Sequence, residues 1–169
     1  ARLPDRILDV HVHANGPAAV GEVSAFGWRQ PRSTFPRWSV ADTRAVEALM
    51  FGDRHIDRLW IPQPWLGIDF RQAHAHLFEH RQRGELVALC ADLSDPAHTL
   101  GELASGRYAA VKSYAFMREP PYRRVVDYFP NWLCAAAADA GVPLVLHLAR
   151  PLDQCWPEVV ALLDAHPGL

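Results

Sequence analysis

The chain has 169 residues, half of them apolar, and a formal charge of −2 with basic and acidic residues interspersed. That size suits one soluble globular core, and the balanced charge excludes the basic face that nucleic acid or an anionic membrane surface would require. No run approaches the roughly 18 apolar residues of a membrane-spanning helix, and the opening ARLPDRILDVHVH has too short an apolar stretch for a secretory signal, so a cytoplasmic protein is expected.

In chain order, Arg6 to Val12 reads as the first strand, continuously apolar until DVHVH closes it. Ala14 to Ser39 is then a long, proline-containing connection carrying Phe26, Trp28, Phe35 and Trp38. Val40 to Arg54 has helical spacing, with Val46, Leu49 and Met50 expected on its apolar side. A second strand, Arg58 to Pro62, leads to a helix that Asp69 can cap and that carries Phe70, Ala73, Leu77 and Phe78. Leu86 to Ala91 is the third strand, and Asp95-Pro96 supplies the cap and first-turn residue of the next helix. Ala109 to Ser113 is the fourth strand, followed by a second long connection through Phe116 and Arg118. Tyr128 to Ala140 is expected to be helical and to end at Gly141, where a left-handed residue is wanted. Pro143 to Leu148 is the fifth strand, and Pro157 is expected to open the last helix through Val159, Val160, Leu162 and Leu163.

Uninterrupted apolar runs fit strands covered on both faces, and their alternation with helices implies a parallel α/β fold, either an open doubly wound sheet or a closed barrel. The two long loops both follow strands. In such folds that is the end at which sites are built, although an aromatic-rich loop can also do no more than pack on a rim.

Alternate residues of a strand share a face, so Asp9, His11 and His13 are expected on one side, with the two histidines nearest the exit and a small flexible Ala14-Asn15-Gly16 turn next. Two imidazoles held this way can reach one divalent ion. With nine histidines in the chain the bare triplet is weak, and His74-Ala75-His76 is the internal control. That triplet lies in a helical pattern, where residues two apart are about 200° apart around the axis. A third imidazole strengthens the case. His147 ends the fifth strand, and strands one and five lie opposite one another in an eight-stranded barrel, so His11, His13 and His147 form a candidate three-ligand set with an open water position. His55, His80, His98 and His166 read as helix-end or surface residues. Lys112, near the exit of a buried strand, needs a partner, an anionic substrate group, metal chemistry after carboxylation, or a path to solvent. The three cysteines, Cys90, Cys134 and Cys155, show no CxxC spacing, and Cys90 reads as a buried, inert thiol.

DVHVH on strand one, VKSY on strand four, LVLH on strand five and the segment IDRLWIPQPWLGIDF together resemble the amidohydrolase superfamily, in its amidohydrolase-related, aminocarboxymuconate-semialdehyde decarboxylase-like branch. The resemblance implies a (β/α)8 TIM barrel holding one divalent metal ion, zinc foremost and manganese as the alternative, on His11, His13 and His147. On that basis hydrolysis through metal-activated water is expected. The residues themselves suggest a small, carboxylate-bearing substrate met by Lys112 and Arg150, whose guanidinium closely follows His147, with Asp9 supporting the ligands from behind. Non-oxidative decarboxylation is the alternative, and a homo-oligomer is left open. The family's further histidine and aspartate, after strands six and eight, have no counterpart here, so the catalytic acid–base residues are not assigned. Residues 1–169 are therefore expected to be a single domain, the amino-terminal portion of the barrel with about five βα units present and strands six to eight missing. A catalytically inert half-barrel that needs a partner chain is the reading from a different class. A nucleotide-binding domain is disfavoured, because no GxGxxG or P-loop pattern follows the first strand.

Overall fold

A computed structural model describes residues 4–19, 38–64, 67–118 and 120–169. The chain divides into two compact units, Ala1–Val87 and Ala88–Leu169. The loop bearing Phe26, Trp28 and Phe35 lies outside the described residues.

The first unit holds β1 (Arg6–Ala14), a 3-10 turn (Pro17–Ala19), α1 (Val40–Phe51), β2 (His55–Pro62), α2 (Phe70–His80) and the start of β3 (Leu86–Cys90). β1 and β2 are parallel, and β2 pairs in parallel with Leu86 and Val87. The second unit continues with the rest of β3, then α3 (Pro96–Ala104), β4 (Ala110–Lys112), α4 (Val125–Tyr128), α5 (Asn131–Ala140), β5 (Leu144–Val145) and α6 (Leu152–Ala165). β4 pairs in parallel with Ala88–Cys90 on one side and with β5 on the other. The class is thus α/β, with five parallel strands hydrogen-bonded in chain order and helices between them. No helix among the described residues is long and apolar enough to cross a membrane.

Several boundaries follow the sequence closely. Asp69 and Asp95 accept the backbone N–H groups of Gln72 and His98 at 3.1 Å each, capping α2 and α3, and Gly141 ends α5 with φ 65° and ψ 31°.

Four expectations change. In α1 the buried stripe is Val40, Thr43 and Glu47, while Val46, Leu49 and Met50 are exposed. A polar knot explains this. Arg58 of β2 donates to Glu47 from Nε (2.7 Å) and Nη2 (2.5 Å), to Glu85 from Nη1 (2.5 Å) and to the Ile56 carbonyl (2.9 Å). Glu85 also accepts from Arg44 (2.8 Å), the Trp60 indole (2.9 Å) and the Gln82 backbone (2.7 Å). Arg58, Glu47 and Glu85 are all buried, so α1 is turned by its carboxylate rather than by its apolar residues.

The predicted helix from Tyr128 breaks at Pro130, because the residue before a proline is driven out of the helical region; Phe129 has φ −122° and ψ 69°. The last helix begins at Leu152, not at Pro157, which sits inside it. Pro151 takes the cap position, and Cys155 is already packed in the core before Pro157 is reached. Finally, β5 is only Leu144–Val145: its one ladder partner, β4, ends at Lys112, opposite Val145. His147 therefore lies two residues beyond the strand.

Candidate metal centre

Within the first unit, the ladder between β1 and β2 is irregular where the histidines begin. Asp9 is opposite Arg58, but Val12, not His11, is opposite Trp60, so β1 carries one extra residue between Asp9 and Val12. Partners in a parallel ladder point the same way. Asp9 thus faces with Arg58, whereas His13, opposite Ile61, faces the other side. The expectation that Asp9, His11 and His13 share a face fails for Asp9. What the carboxylate does is local: Asp9 Oδ1 accepts the backbone N–H of His11 at 3.0 Å, within the stretch where the bulge interrupts the ladder.

His11 and His13 do come together. Their Nε2 atoms are 3.0 Å apart and their rings meet edge-on, with centroids 4.8 Å apart. His13 Nδ1 lies 3.3 Å from the carbonyl oxygens of both Ile61 and Pro62. A carbonyl can only accept, so Nδ1 carries the proton and the Nε2 lone pair is turned toward His11.

The exit loop is fixed rather than flexible. Asn15 is fully buried; its Nδ2 donates to the Gln63 carbonyl (2.9 Å), its Oδ1 accepts the Gln63 N–H (3.0 Å), and its own N–H donates to the Trp38 carbonyl (2.7 Å). Sequence patterning alone does not mark Asn15 as a site residue. The signal available for it was an amide placed two residues after the second histidine. Gly16 is needed for close approach, since a Cβ there would fall 2.7 Å from the His76 ring. The control pair separates as expected for a helix: His74 is buried against Phe70, with centroids 6.1 Å apart, while the His76 ring lies beside His80, 4.1 Å away.

In the second unit, Lys112 is fully buried, and its Nζ has no hydrogen-bond partner among the described residues. This overturns the reading of a lysine reaching solvent. Its Cα is opposite Cys90, and its Nζ is 5.1 Å from the centre of the Tyr114 ring. Burial lowers the lysine from its ordinary range, and Cys90 acts in the opposite direction as the smaller cause. Burial likewise pushes the Cys90 thiol and the Tyr114 hydroxyl up, in keeping with an inert Cys90.

His147 packs against Tyr114 and Phe116, with ring centroids 5.3 and 5.6 Å away, an aromatic setting that strand patterning did not show. Arg150 is drawn to α6. It pairs with Glu158, and its Nε donates to the Arg123 carbonyl at 3.1 Å, so its fork is already engaged. His166 caps the end of α6 and reaches Asn131 at 3.1 Å. Among the described residues, no three His, Cys, Asp or Glu side chains are grouped as a ligand set.

Comparisons with protein-family models, with curated proteins and with solved structures return no match for this chain.

Proposed function

We propose that the chain carries the histidine pair of a metal-dependent hydrolase of the amidohydrolase type, on a (β/α)8 barrel framework, acting on a small substrate with a hydrolysable carbonyl. One observation carries the reading: the 3.0 Å approach of His11 Nε2 and His13 Nε2, with His13 locked in the tautomer that frees Nε2. Two nitrogens bound at about 2.0–2.1 Å to a tetrahedral ion would lie roughly 3.3 Å apart. The pair therefore fits a shared divalent ion, zinc before manganese, with little movement. The carbonyls of Ile61 and Pro62 supply the outer hydrogen bond that metal-binding imidazoles commonly make.

When bound, the ion supplies Lewis acidity, which acidifies water and polarises a carbonyl. The chain's part is positional. Asp9 braces the bulge from which His11 projects, β2 orients His13, and Asn15 ties the exit of β1 to Gln63. His147 is proposed as a third donor from the sequence and its family resemblance alone.

The test is zinc titration of the chelator-stripped chain against a competing dye. About one equivalent is expected for the wild type, with affinity at least about ten-fold weaker in His11→Ala and in His13→Ala. The same titration on His147→Ala tests the third assignment. Equal zinc content in wild type and His13→Ala would remove the metal reading and leave an imidazole–imidazole hydrogen bond.

A further inference from the structure

Of the 17 lysine and arginine residues in this sequence, Lys112 is the only lysine. The distinction is chemical. A guanidinium stays protonated and is no nucleophile at neutral pH, whereas a desolvated lysine can lose its proton and expose a lone pair. Lys112 is also placed differently from the carboxylate-paired arginines among the described residues. It is completely buried on β4, and its Nζ has no hydrogen-bond partner among the described residues. Arg44, Arg58 and Arg150 each have a carboxylate.

Among the described residues, the neighbours of Lys112 are uncharged groups. Cys90 is opposite on β3, and its thiol is kept protonated by burial; the Tyr114 face lies 5.1 Å from Nζ, and its hydroxyl is likewise kept protonated. Phe116 and His147 pack against Tyr114, with ring centres 5.2 and 5.3 Å from its own. An ammonium here gives up its water with no carboxylate partner among the described residues, which disfavours the charged form and shifts the balance toward the free amine.

We propose that Lys112 is a nucleophilic amine that condenses with a small aldehyde or ketone, received against the rings of Tyr114, Phe116 and His147. The Nζ lone pair forms a bond to the carbonyl carbon while the C=O π pair moves to oxygen. The two nitrogen protons pass to that oxygen, the C–O bond breaks, and water leaves an imine. No oxidant or reductant enters. An uncharged, ring-lined surround suits a neutral carbonyl compound better than the anionic group that the sequence suggested for this lysine. The proposal shares His147 with the metal reading but not the His11–His13 pair, and it needs no metal.

Having one lysine makes the test unambiguous, since the only other primary amine of the polypeptide is its α-amino group. The chain is incubated with acetaldehyde and cyanoborohydride at pH 7 with chelator present, native or unfolded in guanidinium chloride, and cleaved at arginine. The ethyl increment is then followed on the peptide spanning residues 108–118. An ordinary lysine at pH 7 holds about 1 part in 2,500 as free amine. Native Lys112 is therefore expected to label at least about ten-fold faster than in the unfolded chain. Lys112→Met is expected to keep the far-ultraviolet dichroism of the wild type and to lose the label from that peptide. Native labelling no faster than unfolded, or no native labelling at all, would overturn the proposal, and that comparison needs only the wild-type protein.

Discussion

Replacing Arg58 by methionine tests the polar knot in the first unit. The guanidinium makes four hydrogen bonds, two of them to Glu47, whose carboxylate has no other partner among the described residues, and one to Glu85. Glu85 would keep Arg44, Trp60 and Gln82, so the loss falls mainly on Glu47, which is buried and would be left charged and alone. Removing one partner of a buried pair costs about 3–5 kcal/mol. At roughly 2–4 °C per kcal/mol for a chain of this size, Tm should fall by about 6–20 °C. One further measurement separates stranded charge from lost packing. Glu47→Leu added to Arg58→Met removes the charge and should return about 2 kcal/mol or more. The assay is urea unfolding monitored by tryptophan fluorescence and by dichroism. A deficit under about 1 kcal/mol at pH 7, or a double variant no better than the single, would refute the argument.

Gly16→Ala should destabilise by about 1–3 kcal/mol, since the new Cβ meets the His76 ring at 2.7 Å; adding His76→Ala should return most of that in the same unfolding assay. The three buried cysteines should react with a disulfide reagent only as fast as the chain unfolds, with Cys90 and Cys134 both pushed up by burial, Cys134 to about 11. Glu158 is held below the ordinary carboxylate range, first by the Val125 N–H at 2.6 Å and then by Arg150. A depressed folded pKa stabilises above the unfolded pKa and loses that contribution as pH falls through the folded one. Glu158→Gln should therefore cost about 1 kcal/mol at pH 7 and progressively less under acid, measured as the pH dependence of urea midpoints.

The order of strands and helices was legible because uninterrupted apolar runs and cap residues are local signals. Asp69, Asp95 and Gly141 act where the sequence places them. What was not legible depends on partners distant in sequence. The inward face of α1 is chosen by Glu47 reaching Arg58, 11 residues away, which overrides the apolar set Val46, Leu49 and Met50. The length of β5 is set by where β4 stops, not by the apolarity of Pro143 to Leu148. At the candidate site, the meeting of His11 and His13 was readable from their spacing, whereas the turning away of Asp9 was not, since no local pattern in DVHVH announces an extra residue in the ladder. Lys112 was conspicuous in the sequence, but whether it meets solvent, an anion or nothing is decided by the rings around it.

The extra residue in β1 also alters how the motif should be counted. Register is regained at Val12 opposite Trp60, so the phase of the histidines is referenced to the exit of the strand and not to its start. If Val10, which is largely exposed, were deleted, Asp9 could stay opposite Arg58 and Val12 opposite Trp60, with His11 and His13 still on one face. The interval from Asp9 to His11 is thus the elastic part of the signature, and the interval from His11 through Asn15 is the rigid part. A search for kindred chains that allows one gap before His11 and none after it would follow the physics of this strand.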